Sequence, residues 1–322
     1  MCVGTSLRLA DLKLELPQVF KNNFMKKIFA FVAIAFLFVA CKEQTPAGLV
    51  LKDPIVIPGG ATPRDTTYVA PIEVPQKKSL LVEESTGNKC ANCPFGKTQI
   101  FQAKQANPGR IKVMALHFTG LEVDQPSEKY YTLQNQHVRD LISYLDGDQG
   151  QPCAAFNRVP VGGKYFLVRG AGGNWATPIT NELAKTTPVN LHLTSRYDTT
   201  YDEVVLDAKV AFTEAVTGKL SLSAFVLEDG LIGSQDSSAF PTVVKLEDYE
   251  FNEVMRKAIT PVFGTQILST LTAIEAGRVF ERRLVFKPDA IWNKDKCKIM
   301  VFVHRAETVD KTVLQVEEVE MK

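Results

Sequence analysis

Between residues 77 and 187 the apolar positions switch between two rhythms. Leu80 to Glu84 begins with a short apolar run of strand character, and Pro94 to Ala106 predicts a helix, opened by a proline near its first position and closed by Asn107-Pro108-Gly109. Ile111 to Phe118 is mostly apolar, as a strand buried on both faces would be. Ser127 is placed to cap a helix whose Tyr130, Leu133, Val138, Leu141, Ile142 and Leu145 share one face, with Gly147 as its stop. Short strands follow at Cys153 to Val159 and Lys164 to Val168, then a last helix at Trp175 to Lys185. The predicted order is βαβαββα, an α/β domain over 77–187 with parallel strands joined by right-handed crossovers.

From residue 188 the rhythm becomes simple alternation. Val189, Leu191 and Leu193 lead; Val204, Leu206, Ala208, Val210 and Phe212 follow, and then Leu220, Leu222, Ala224 and Val226. Further strands are predicted at Arg278 to Phe286, Lys298 to His304 and Thr312 to Glu320, with turns at Thr217-Gly218, Asp229-Gly230 and Lys287-Pro288-Asp289. This all-β pattern over 188–322 argues for an Ig-like β-sandwich, interrupted at 241–276 by a less regular insertion with a short helix around Asn252 to Ala258.

The chain's beginning has a different character. Met25, two lysines, an unbroken apolar run from Ile28 to Ala40 and then Cys41 have the layout of a secretory signal, too short to span a bilayer comfortably. Ala40 directly before Cys41 makes it resemble a bacterial lipoprotein signal, which implies lipid attachment at Cys41 and a signal peptide over 25–40. Residues 1–24, with Asp11 and Glu15, read as an over-extended start. Residues 41–76, which carry Pro46, Pro54, Pro58, Pro63, Pro71 and Pro75, read as an extended tether.

Charge alters this picture little. A net charge of +1 over 322 residues offers no electrostatic footprint for nucleic acid. The sequence has no GxSxG or HExxH, and no cofactor motif; Gly170-Ala171-Gly172-Gly173 lacks the Lys-Ser/Thr of a phosphate loop and reads as a turn. Glu83-Glu84 and Glu317-Glu318 alternate across strands, so the members of each pair point to opposite faces.

Chemistry concentrates in the cysteines. Cys90-Ala91-Asn92-Cys93 falls between the first strand and the first helix, where a redox pair, half of a zinc site and a plain staple are all possible. With Cys41 lipidated, Cys90, Cys93, Cys153 and Cys297 allow three pairings, of which spacing favours Cys90–Cys93. A helix N-terminus near Cys93 and the charge of Lys89 would stabilise a Cys90 thiolate, making Cys90 the nucleophile and Cys93 the resolving thiol. No second CxxC or paired histidines complete a zinc site; His117 ends the second strand, while His137, His192 and His304 read as packing or surface groups.

The element order resembles the thioredoxin fold, which implies a cis proline at Pro152 facing the dithiol, with Cys153 close enough to join exchange. Lys89 and Ala91-Asn92 depart from the Trp and Gly-Pro usual around that dithiol, and no acidic residue is marked by position as the proton acceptor for Cys93. "LLVEESTGNKCANCPFGK", "QPCAAFNRV", "YEFNEVMRKAI" and "CKIMVFVHRAETVDKTVLQVEEVEM" together resemble the 28-kilodalton outer-membrane protein family of Bacteroidota. That resemblance implies a lipid-anchored envelope protein with a thioredoxin-like domain followed by an Ig-like domain. Lys42-Glu43 after the lipid cysteine resembles surface-export signals of that phylum. The leading expectation is a non-enzymatic binding or adhesion module, with the membrane through its anchor and a protein or glycan as partners, and Cys90–Cys93 as a structural disulfide. The competing one is an envelope thiol–disulfide oxidoreductase using Cys90, Cys93 and Pro152.

Overall fold

The computed structural model describes residues 60–118, 133, 135–147, 150–168, 174–238 and 242–322. Cys41, the signal-like run, Ser127, Tyr130 and Gly170 to Gly173 lie outside the described residues. Residues 59–322 form one compact unit. Its first part contains β1 (Arg64–Val69), β2 (Leu80–Thr86), α1 (Cys93–Ala106), β3 (Ile111–His117), α2 (Gln136–Tyr144), β4 (Cys153–Phe156), β5 (Leu167–Val168) and α3 (Ala176–Leu183). From β2 onward this is the expected βαβαββα order. Asn135, through a side-chain bond from the Val138 N–H, caps α2, so that helix starts later than the periodicity predicts.

The remainder is β structure: β6 (Val189–Asp198), β7 (Glu203–Phe212), β8 (Val216–Thr217), β9 (Leu220–Glu228), β10 (Leu231–Ser237), β11 (Val244–Phe251), β12 (Val254–Ala258), β13 (Thr265–Ile267), β14 (Ala273–Ile274), β15 (Arg278–Phe286), β16 (Cys297–Arg305) and β17 (Val313–Glu320). The molecule is mixed α/β and mostly sheet.

Segments 77–187 and 188–322 meet in one sheet. Its order is β17-β16-β9-β12-β3-β2-β4-β5, with β13 also on β9. The join is β12, expected as a short helix and found as a strand, antiparallel to β9 and parallel to β3 at Val254 and Ala115. Val254 and Met255, on neighbouring positions that point to opposite faces of the strand, are both wholly buried, because this part of the sheet is covered on both faces. Behind the sheet one continuous core runs from Leu81, Met114 and Leu116 through α2's Leu141 to Phe225 and Phe302. Burying these side chains is worth about 1.5–3 kcal/mol each, which welds the two segments together.

A second sheet, β1-β15-β7-β6, packs over β9 and β16 around Leu206, Phe212, Leu222 and Val301. One of the sandwich's two sheets therefore continues, through β12, into the strands of the α/β segment. Residues 64–69, expected within the tether, form β1 along β15 instead. No apolar alternation announces it, because all six residues are exposed and the ladder itself holds them, aided by a bidentate Arg282–Asp65 pair at 2.8 and 2.6 Å.

The end of β4 anchors the halves by hydrogen bonds. Asn157 accepts from the Leu81 N–H at 2.9 Å and donates to Glu182 at 3.0 Å, while its carbonyl accepts from Val313 of β17 at 2.9 Å. Arg158 forks onto Glu83 at 2.7 and 3.0 Å and stacks 4.7 Å over Phe302, with both charged groups fully buried. A conformation with positive φ at Asn157 and Arg158 turns the chain there.

Candidate functional site

β2 ends at Thr86, and Gly87 to Asn92 curls back so that Cys93 becomes the first residue of α1. The turn is tight: the Cys93 N–H bonds the Cys90 carbonyl at 3.0 Å, and the Cys90 N–H bonds that of Gly87 at 3.0 Å. Cys90 and Cys93 form a disulfide with Cα atoms 5.3 Å apart. Both sit against the positive end of α1, where a thiolate is favoured on reduction. The peptide before Pro152 is cis. Pro152 packs beside the first turn of α1: a Cβ built on Gly96 would lie 3.2 Å from the Pro152 Cβ and 3.1 Å from the Trp175 ring. Glycine lets the dithiol helix approach this closely.

Cys153 does not join the pair. It is wholly buried and outside any disulfide, in the core behind the sheet with Leu81 and Ala155, whereas its neighbour Ala154 faces the α1 side with Leu80 and Val82. Strand alternation turns its sulfur away from the helix that carries the dithiol. Cys297 is also buried and outside any disulfide, and burial pushes its thiol up to about 12, with Glu228 adding to the shift. Neither is suited to exchange. Among the described residues, no group of three His, Cys, Asp or Glu side chains is arranged to hold a metal.

Beneath Cys93 lies a cavity of about 20 Å³, the size of one water, lined by Glu84, Thr86, Pro94, Lys97, His117 and Tyr249 among others. His117 lies against Phe251, ring centroids 5.3 Å apart. Glu84 is 1 % exposed, and neither carboxyl oxygen has a hydrogen-bond partner among the described residues. Burial pushes its pKa up to about 7, with Glu253 adding to the shift and Lys97 opposing it. Lys97 donates to Glu253 at 2.9 Å and to the Asn252 carbonyl at 3.1 Å, and Lys104 pairs with the other Glu253 oxygen. Burial works against charge on Glu253, but Lys97 and Lys104 outweigh it and hold the carboxyl down at about 2.

Sequence reasoning missed Glu84. Alternation correctly separates it from Glu83, but only the tertiary structure shows that Arg158 claims Glu83 while Glu84 is left alone beside Cys93. The available signal was a charged residue directly following the apolar run Leu80-Leu81-Val82 of a strand expected to be buried.

The site is covered. The sulfur-bearing residues are 2 % and 3 % exposed, because the end of β10 lies along their loop. The Asp236 N–H bonds the Asn88 carbonyl at 2.8 Å and the Ser238 N–H that of Ala91 at 2.9 Å. The Gln235 amide donates to the carbonyls of Gly87 at 3.2 Å and Cys90 at 3.1 Å. Lys89 faces Asp236 at 3.7 Å. Of the other histidines, His137 accepts from the Ala258 N–H, His192 meets Glu73 at 2.8 Å and His304 is buried against Ser223.

The architecture defines a mixed α/β protein with a buried helix-start disulfide. Residues 141–322 match the profile of the family "Outer membrane protein Omp28", and the chain belongs to that family. Among solved structures it is similar to HBP35 of Porphyromonas gingivalis, at 20% identity over 76% of each chain with a TM-score of 0.59. A second similar structure is protein AGR_C_4864 from Agrobacterium tumefaciens, at 14% identity over 77% of this chain and 96% of that one, with a TM-score of 0.44. No curated protein matches the sequence.

Proposed function

We propose that this outer-membrane family member performs thiol–disulfide exchange through Cys90 and Cys93. The observation that carries the reading is Glu84, a buried carboxyl that lines the same cavity as Cys93 and has no hydrogen-bond partner among the described residues. An unsatisfied buried carboxyl is costly, and a purely structural disulfide gives no reason to keep it. It suits proton transfer at neutral pH.

In the oxidising direction a partner's thiolate attacks the Cys90 sulfur, the Cys90–Cys93 bond breaks, and the leaving Cys93 thiolate takes the proton of the Glu84 carboxyl. A second partner thiolate then attacks the partner's sulfur in the mixed disulfide and releases Cys90 as thiolate. The partner has lost two electrons and the dithiol has gained them. The test is the reduction potential of the pair in the full chain, with Cys93→Ser to trap the mixed disulfide. Exchange requires a potential above about −300 mV, the range of inert secreted disulfides lying below it.

The burial of both sulfurs favours a second reading: a non-enzymatic, lipid-anchored binding module whose disulfide only braces the loop. A potential below that limit, with no trapped adduct, selects it. In either reading we take Cys41 as the lipid attachment site, on its position after the apolar run. Loss of fatty-acid labelling in Cys41→Ala is the expected outcome, and persistence of the label would refute the anchor.

A further inference from the structure

Strand β10 has an unusual position. Among the described residues its only sheet partner is β11, and that two-stranded ribbon is held at its base by a small apolar cluster of Leu133, Leu231, Phe251 and Val254. Along β11 the side chains from Val244 to Asp248 are exposed. At its other end β10 is held by polar contacts with the dithiol loop. The donors there are the N–H groups of Asp236 and Ser238, two residues apart, which is the spacing at which an extended chain directs its amides to one side. The acceptors are the carbonyls of Asn88 and Ala91, with the Gln235 amide filling those of Gly87 and Cys90. Ser238 adds a side-chain bond to Asn92 at 2.7 Å.

We infer that residues 87–92 form a docking edge for an extended peptide, occupied in this state by the chain's own Gln235–Ser238, and that a partner protein's cysteine reaches the disulfide by displacing it. This rests on the exchange reading above and adds to it a substrate class and a control. Any extended segment offers the amide donors that the Asn88 and Ala91 carbonyls need, so backbone pairing supplies the affinity, and the Gly87 and Cys90 carbonyls keep the bonds they accept from the Cys90 and Cys93 N–H groups within the loop. A ribbon anchored by a few apolar groups at one end and by exchangeable hydrogen bonds at the other opens locally far more readily than the shared sheet.

The test follows reduction of Cys90–Cys93 in the full chain under excess dithiothreitol, which supplies two electrons and two protons and closes its own ring. Alkylation and mass spectrometry of the 90–93 peptide give the rate. Gln235→Ala, which removes two buried bonds to the loop, is expected to speed reduction about tenfold, and Ser238→Ala, which removes the side-chain bond to Asn92 and keeps the backbone bond to Ala91, about twofold. Ile274→Val, a core truncation in β14 remote from the ribbon, is the control for global unfolding and is expected to leave the rate unchanged. Equal rates in wild type and both ribbon variants, or equal acceleration by Ile274→Val, overturn the cover. In Gln235→Ala, a ten-residue Gly-Ser peptide with one central cysteine is expected to form the mixed disulfide several-fold faster than 2-mercaptoethanol at equal thiolate concentration. Equal rates overturn the peptide edge. A potential too low for exchange would end the exchange reading and leave these opening rates, taken under excess reductant, still measurable.

Discussion

Glu83 and Glu84 are consecutive on one strand and both buried, and among the described residues only Glu83 has a hydrogen-bond partner. Glu83 faces the rear core, where Arg158 grips it with two hydrogen bonds of its guanidinium fork. Glu84 faces α1 and the dithiol, with neither oxygen bonded. The same residue type is thus paired with a guanidinium on one face and pushed toward its neutral form by burial on the other.

Glu84 makes stability depend on pH in an uncommon direction. Its folded pKa of about 7 lies above the unfolded value of 4.5, so its contribution is full below 4.5 and is lost as pH rises through 7. Glu84→Gln is expected to be more stable than wild type by up to about 3 kcal/mol at pH 8 and nearly equal to it at pH 4, in urea titrations.

His304 opposes that slope. The carbonyl of Arg305 can only accept, so Nδ1 at 2.9 Å carries the proton and Nε2 accepts from the Ser223 hydroxyl at 3.0 Å. Burial, with Arg158 adding, holds its pKa down at about 3, so the unfolded chain binds a proton below 6.5 that the folded one refuses. Between pH 5 and 6 the two groups contribute opposite slopes of about 1.4 kcal/mol per pH unit. His304→Gln is expected to show stability falling with pH in that window, and Glu84→Gln stability rising, relative to a flatter wild type.

The buried Glu83–Arg158 pair is expected to behave as a unit. Glu83→Gln leaves the guanidinium buried without its counter-charge and is expected to cost about 3–5 kcal/mol. Replacing both, as Glu83→Leu with Arg158→Met, is expected to cost much less than the sum of the single changes. A double-mutant cycle by chemical denaturation measures the coupling.

Gly96→Ala inverts the usual helix rule. In an exposed helix it would gain about 1 kcal/mol, but here the added methyl would meet Trp175 and Pro152 at 3.1 and 3.2 Å. Net destabilisation of about 1–2 kcal/mol is expected in a thermal melt, and partial rescue by Trp175→Leu, which opens the space.

Much of this was legible in the residues. The βαβαββα order, the alternating strands after residue 188 and the Cys90–Cys93 pairing at a strand-to-helix junction all follow from local pattern, because periodicity and short-range spacing are properties of the chain itself. Other features were not. β1 carries no apolar alternation, since all six of its residues are exposed and its partner β15 lies more than two hundred residues away. β12 was read as a helix because its five residues are too few to display a period, and its strand geometry comes from β9 and β3 on either side. Glu84's isolation depends on which neighbours fail to reach it.

The sequence by itself determined the periodic elements, the position of the dithiol and the separation of Glu83 from Glu84, all of which depend on spacings of a few residues. Tertiary structure alone decided that the two halves share a sheet, that Cys153 faces away from the dithiol, and that β10 covers Cys90 and Cys93. Those outcomes hang on contacts between segments far apart in the chain, where desolvation and pairing are set by what the fold brings alongside and carry no local signature.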